Sequence, residues 1–333
     1  MNQTIYGRVR QEHLPKLREF CCENWGSEHP LIHNTRVFDW YYRDENDINI
    51  VIAYTEEGDN IDIKGVCGYI PTNKTITPDI FLSYILTKKG VNFGVSLRLI
   101  ESIKEITKAR TINCNNIRRK TGGIYEFLGY TVADMDHYYR LNPDIENYSL
   151  CIVNQYKEKE ILSKSLKTEE IDDKQKLYDF PFEIYHNLLP YKDKEYITKR
   201  YFDYPFHKYT IHRLIDKEKQ ALLIFRKIIH NSSCMLRVVD YIGDRTLIAH
   251  SGHLLDDLIT KHGAEYVDWY SYGVKEEDMI YAGFCSTKDD NNMIPFYLSP
   301  PMMEDVVITV FISDKDNFMM FRADGDQDRP NLG

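Results

Sequence analysis

The chain has 333 residues, with 42 Lys and Arg against 51 Asp and Glu, a formal net charge of −9, and 43% hydrophobic and 28% charged residues. That length anticipates two domains of about 150 residues, and the composition anticipates folded cores rather than disorder. The acidic balance argues against non-specific nucleic-acid binding, which needs clustered Lys and Arg to neutralise phosphates. Seven cysteines, an odd number that includes the adjacent pair Cys21 and Cys22, form neither a disulfide framework nor the C-x-x-C spacing of a zinc ribbon.

The amino-terminal MNQTIYGRVRQEHLPKLREF has no apolar signal-peptide core. No run reaches the ~18 uncharged residues of a membrane helix. The expectation is a soluble, cytoplasmic protein with no membrane or nucleic-acid partner and no metal. After a helical first segment, NIVIAYTEE and IKGVCGYIPTN read as strands separated by the turn-forming EGDN, and DIFLSYILT reads as a third. VSLRLIESIKEI carries Val95, Leu99, Ile103 and Ile106 at helical spacing. A strand at RTINCNN, a helix stopped by Gly129, and a strand at TVADMDHYYRLN complete a β-β-β-α-β-α-β order. Residues 143–175, rich in Glu, Lys, Asp and Ser, read as a linker or crossing segment with a strand around SLCIVNQY. The order then returns: KYTIHRLID, ALLIFRKIIH and MLRVVDYI as strands, a helix at TLIAHSGHLLDDLITKHG, a strand at AEYVDWYSYG, a short helix at EEDMIYAG and a strand near FCST. The fold class expected is therefore α/β, a mixed central sheet flanked by helices, written twice.

Between the third strand and the first long helix lies KKGVNFG. Unbonded N–H groups of a first helical turn, together with the positive end of the helix dipole, make a ready anion site. Gly90 and Gly94 let the backbone curl and let a phosphate approach without a Cβ in the way, and Asn92 tolerates a left-handed conformation. Lys88 and Lys89 add positive charge. A plain strand-to-helix turn is the other reading of so short a motif.

With this loop after the third strand of a β-β-β-α-β-α-β unit, residues 1–142 resemble the GNAT acyltransferases, which move an acyl group from coenzyme A to an amine. The family's Gln/Arg-x-x-Gly-x-Gly/Ala loop is met partially by Lys89, Gly90, Val91, Asn92, Phe93 and Gly94: the last glycine matches, while Lys89 replaces Gln/Arg and Asn92 the first glycine. A second match is TGGIYEFLGYTV. The resemblance implies that residues 89–95, including Val95, hold the diphosphate of acetyl-CoA or another short acyl-CoA. It also implies that a main-chain N–H near Leu86 or Thr87 polarises the thioester, and that Tyr125 is the general acid. Asn113, Asn115 and Asn116 read either as partners of the pantetheine amides or diphosphate or as helix caps. His137 is a candidate base near neutral pH, with Asp134 or Asp136 acting through water as alternatives.

The resemblance divides the chain into an acyl-CoA-binding domain at 1–142, a linker at 143–175, and a degenerate GNAT-like domain at 176–333 that scaffolds the site or binds the acceptor. In the second half the corresponding loop carries Asp240 and Asp244, which repel a diphosphate. Candidate acceptor contacts are Glu265, Asp268, Trp269 and Tyr272, with Asp326 and Arg329 in the tail ADGDQDRP. That tail reads as a Ca²⁺ ligand run, a solvated acidic terminus, or a cluster folded into a cleft. It and GAEYVDWYSYG are similar to tandem acyltransferase-like proteins encoded with bacterial surface-polysaccharide pathways. The function this implies is N-acetyl transfer from acyl-CoA to the amine of a sugar, a nucleotide-linked small molecule. The rivals are an aminoacyl transferase of peptidoglycan type and a non-catalytic scaffold.

Overall fold

The structure, a computed structural model, describes residues 3–25, 34–45, 47–58, 60–156, 159–298, 301–304 and 306–330. Two compact units emerge. The first comprises the described residues through Val132 together with Phe311–Asp314; the second comprises Ala133–Val310 and Lys315–Pro330.

The first unit takes strand β1 (Ile5–Arg8), helices α1 (Leu14–Asn24) and α2 (Thr35–Tyr42), strands β2 (Ile50–Glu57), β3 (Asn60–Pro71) and β4 (Asp79–Thr87), helix α3 (Phe93–Thr107), strand β5 (Thr111–Ile117) and helix α4 (Gly122–Phe127). β1 to β4 pair antiparallel in chain order. β4 and β5 then run parallel, joined by α3 as a crossover helix, because a parallel pair cannot be closed by a hairpin. α3 buries Leu99, Ile100 and Ile103, at ~1.5–3 kcal/mol for each fully buried side chain, and leaves Arg98 outside, paired with Glu101 and Glu105.

TVADMDHYYRLN, expected as one strand closing the first half, is two. β6 (Thr131–Asp134) ends the first sheet, whereas β7 (Asp136–Leu141) pairs antiparallel with a strand of the second sheet. That sheet is built from β8 (Lys167–Glu170), β9 (Thr210–Asp216), β10 (Lys219–His230) and β11 (Ser233–Gly243), then helix α5 (Gly252–His262), β12 (Tyr266–Tyr272), helix α6 (Glu276–Tyr281) and β13 (Cys285–Ser286). β14 (Thr309–Ile312) and β15 (Met320–Phe321) complete the chain. The first sheet runs β1-β2-β3-β4-β5-β14-β6; the second runs β8-β9-β10-β11-β12-β7-β13, with β15 pairing β12. Each sheet thus receives its sixth strand from the opposite half of the sequence. SLCIVNQY is not a strand: its one ladder contact is an isolated bridge from Ile152 to Met293. The expected linker instead holds β8.

The repeat expected from the sequence is visible in the register. β8 to β11 pair antiparallel in order, and β11 then runs parallel to β12 across α5. In both sheets the parallel pair is only three residues long, from Asp79↔Thr111 to Phe81↔Asn113 and from Leu236↔Val267 to Val238↔Trp269. Just beyond it the incoming strand carries a bulge. Ser83 is the extra residue between Tyr69↔Leu82 and Gly68↔Tyr84, and Val239 is the extra residue between Phe225↔Val238 and Ile224↔Asp240. A bulge bends and twists its strand, so each parallel pair opens into a wedge toward its carboxyl end.

Candidate active site

In the first unit the wedge lies between the far ends of β4 and β5. Tyr42, at the end of α2, shares a 2.9 Å hydrogen bond with the bulge residue Ser83. Its ring meets Tyr84 edge-on at 5.5 Å. Asp79 through Leu82 are buried, whereas Ser83 through Thr87, past the last pair with β5, are half-buried. Lys88 N donates to Lys64 O at 2.9 Å, and Leu86 stands opposite Val66 and Tyr84 opposite Gly68. Since bonded pairs alternate along an antiparallel ladder, the peptide groups of Leu86 turn toward β3, and those of Ile85 and Thr87 turn to the other edge, into the wedge. Of the two residues named from the sequence, Thr87 turns its peptide groups to that edge, as Ile85 does, and Leu86 does not.

The strand runs into the loop the sequence singled out. Gly90 has φ +82°, which favours glycine, and Val91 N closes the turn on Lys88 O at 3.2 Å. Asn92 is the N-cap of α3, and its side chain accepts from Gly94 N at 2.9 Å. Lys89, Gly90, Asn92 and Gly94 are exposed, and the Phe93 side chain lies outside the described residues. Val95, half-buried, packs on the core of α3. A Cβ added at Gly94 would meet only Asn92 Oδ1, at 3.5 Å, so the fold itself does not require glycine there. Lys88 Nζ pairs with Asp62 at 2.9 Å. Asp62, held below its ordinary value first by its bond from Lys64, joins Lys16, Glu19, Glu23 and Lys88 in lining an open hollow of about 410 Å³.

On β5, Asn113 is spent on the fold: its amide donates to Thr111 Oγ1 at 3.0 Å and its carbonyl accepts from Ser313 N at 3.3 Å. Asn115, 3% exposed, lies past the last parallel pair, on the wedge side of the strand's run. Asn116 has φ +64° and points to solvent. Tyr125 stacks on Phe311 with ring centroids 4.2 Å apart and packs against the cluster that includes Cys67 and Cys114. Burial, reinforced by those thiols, pushes its phenol well above the ordinary tyrosine range.

The remaining expected site residues belong to the second unit and are mostly interior. His137 is 6% exposed, stacks on Tyr270 at 3.7 Å and approaches Asp268 Oδ2 at 3.4 Å. Asp268 also takes the Arg237 guanidinium at 2.6 to 3.1 Å, and His137 therefore sits in a buried ion network. Glu265 accepts from Ser149 N and Leu150 N, both at 2.8 Å, fixing the start of the expected linker. Trp269 is fully buried in the core; Tyr272 keeps a partly exposed ring near Phe318. The acidic tail is not solvated. Asp324, Asp326 and Asp328 are 0 to 2% exposed, paired with Lys192 at 2.7 Å, Arg329 at 2.7 Å and Arg226 at 2.9 Å respectively. Among the described residues no cluster of three or more His, Cys, Asp or Glu is placed to hold a metal ion, and no helix is long and apolar enough to cross a membrane.

The second wedge is filled by its own chain. β15 pairs with Ser271 and Tyr272 at the end of β12, and Ala323 N donates to the bulge carbonyl of Val239 at 2.9 Å. Lys192 bridges Asp324 to Asp240 behind the plug, at 2.7 and 2.5 Å, and Asp244 caps the following turn through Thr246 N.

No family model matches the sequence, and no match was found among curated proteins. Solved structures do match. A GCN5-related N-acetyltransferase from Anabaena variabilis is 12% identical with a TM-score of 0.55, over 93% of this chain and 72% of its own. A protein of unknown function from Enterococcus faecalis V583, described as a probable N-acyltransferase, is 8% identical with a TM-score of 0.54, over 92% of this chain and 72% of its own. The chain has the GCN5-related N-acetyltransferase fold, the GNAT fold, in two tandem copies.

Proposed function

We propose that the protein transfers an acyl group, most simply acetyl, from acyl-CoA to a primary amine, with the first unit as the catalytic one. The observation that carries this reading is the wedge between β4 and β5, where the parallel pair ends at Phe81↔Asn113 and the bulge at Ser83 follows. It offers main-chain donors at Ile85 and Thr87 and leads to a glycine-bearing loop and an exposed helix N-terminus. Those residues fit an extended acyl carrier: a strand edge for amide-bearing chain, and N–H groups of residues 90–94 with Lys89 for a diphosphate.

The thioester carbonyl accepts from the main chain at Thr87, where a fixed donor stabilises developing negative charge without reorganisation. The acceptor nitrogen attacks that carbon, the carbon–sulfur bond breaks, and the departing sulfur takes the Tyr125 proton. The proton leaving the nitrogen passes to water, and water returns a proton to Tyr125 to complete the cycle. His137, enclosed in the second unit, is not needed for that step. For the acceptor we propose an amino sugar, nucleotide-linked, from surface-glycan synthesis; its support is the resemblance of the GAEYVDWYSYG and ADGDQDRP segments.

Two measurements test this in order. Acetyl-CoA at 100 times its dissociation constant should stabilise the chain by about 2.7 kcal/mol, read as a thermal shift; no shift overturns acyl-CoA use and favours a scaffold. Thiol release with a panel of nucleotide-linked amino sugars then tests the acceptor. Release with simple amines but with none of these sugars keeps acyl transfer and discards the sugar.

A further inference from the structure

We propose that the second unit contains a binding site for a carboxylate or phosphate group, centred on the guanidinium of Arg322 and walled by Phe296, Tyr297 and Tyr270. Arg322 directly follows β15 and is 1% exposed. Its Nε and Nη1 are enclosed and make no hydrogen bond among the described residues. The guanidinium lies over Phe296 at 4.0 Å, with Tyr297 at 5.4 Å and Tyr270 at 5.8 Å.

The neighbouring charges are spent elsewhere. Asp268 is taken by Arg237, whose Nη1 and Nη2 also donate to Phe296 O at 2.8 Å and Pro295 O at 3.0 Å. Asp328 pairs with Arg226 and accepts from Tyr209 at 2.7 Å. Asp326 pairs with Arg329. Arg237 adds a like charge, and burial followed by that charge holds Arg322 below its ordinary affinity for a proton.

A buried charge without a counter-charge is among the costliest features a fold can carry, and stacking on aromatic faces recovers only part of that cost. Stacking engages the face of the guanidinium and leaves its edge donors Nε and Nη1 without a hydrogen bond, and that edge carries the planar fork of donors that carboxylate and phosphate oxygens match. An anion at this edge supplies the missing charge and ties the strand that plugs the second wedge to the segment around Phe296. The ligand class is a small molecule bearing one such group against an apolar, aromatic body. This inference stands independently of acyl transfer in the first unit.

The test is thermal shift and calorimetric titration of the full chain with inorganic phosphate and with succinate, each against sodium chloride of equal ionic strength. Wild type should show a saturable rise in midpoint with at least one of the two; phosphate alone points to a phosphorylated ligand, succinate alone to a carboxylate. Arg322→Met should lose that response while its ligand-free midpoint equals or exceeds that of wild type, because an uncompensated charge has been removed. Arg322→Lys, which keeps the charge without the fork, should bind at least ~10-fold more weakly and decides the matter should the methionine variant fail to fold. Insensitivity of wild type to both anions, or an undiminished response in either variant, overturns the site.

Discussion

Tyr125 is carried on a six-residue helix, and its role rests on where its ring is held. Stacked on Phe311 and raised by burial, the phenol stays protonated through neutral pH and beyond. Tyr125→Phe should therefore lower kcat by about 10²-fold with little change in the KM for acyl-CoA, and the wild-type rate should not fall between pH 8 and about 10 through loss of this proton. A descending limb in that window that disappears in the phenylalanine variant would contradict the raised value. A different buried acid makes a stability prediction. Asp324 is pushed up to about 6 by burial, against the pull of Lys192. The native chain then holds this proton more tightly than the unfolded chain. The contribution is fully present below the ordinary 3.8 and is lost as pH rises through about 6. Urea midpoints measured across that window should decline more steeply in wild type than in Asp324→Asn; equal slopes would reject the assignment. Enclosure of the tail that holds Asp324 was one of three readings the sequence left open, and the isolation of Arg322 was not legible in it. A run of alternating acids looks solvated until Lys192, Arg226 and Arg329 are brought to it, and a lone arginine after MMF carries no local sign of having no partner.

At the scale of elements, what was legible is what one period determines. α3 and the strands on either side of it follow from spacing alone, as does the loop between them. The bulges at Ser83 and Val239 that open the wedges were not legible, because an extra residue leaves the alternation of a mostly apolar strand unchanged. For the same reason TVADMDHYYRLN concealed a change of sheet at Met135: both strands have period two, and the period does not name the partner. SLCIVNQY failed differently: Leu150 and Cys151 are buried by side-chain packing beside a carboxylate anchor at Glu265 rather than by a ladder, while Ile152 and Tyr156 stay exposed. The wedge and the helix terminus can be tested separately. At Gly68 a Cβ would meet Tyr84 at 2.5 Å and Ser83 and Tyr42 at 2.9 Å, so Gly68→Ala should cost about 1–3 kcal/mol in chemical denaturation as the bulge shifts. Gly94→Ala meets nothing closer than 3.5 Å and should leave stability unchanged or raise it by up to ~1 kcal/mol. If main-chain groups there hold a diphosphate, the same variant should raise the KM for acyl-CoA severalfold. An unchanged KM would return the loop to a plain turn.

Across the whole molecule, the exchange of one strand between the two sheets makes the halves of the sequence unequal to the units of the fold. β14 lies between β5 and β6, and Thr309, Val310, Phe311 and Ile312 are 4% exposed or less. A fragment of residues 1–142 lacks that strand. Its sheet would be interrupted, with the ladder edges of β5 and β6 unpaired; Tyr125 would lose the ring it stacks on, and three apolar side chains worth ~1.5–3 kcal/mol each on burial would be missing from the core. That deficit is comparable to the entire stability of an ordinary domain, ~5–15 kcal/mol. Residues 176–333 lack β7 and β8 in the same way. Neither fragment should show dispersed amide resonances or a sigmoidal urea transition by itself. Adding a peptide of residues 306–316 to the first fragment should restore part of both, since it returns the one missing interior strand. A cooperative transition in the unsupplemented 1–142 fragment would mean that β14 is dispensable to the first sheet, and that the unit able to fold is the amino-terminal half after all.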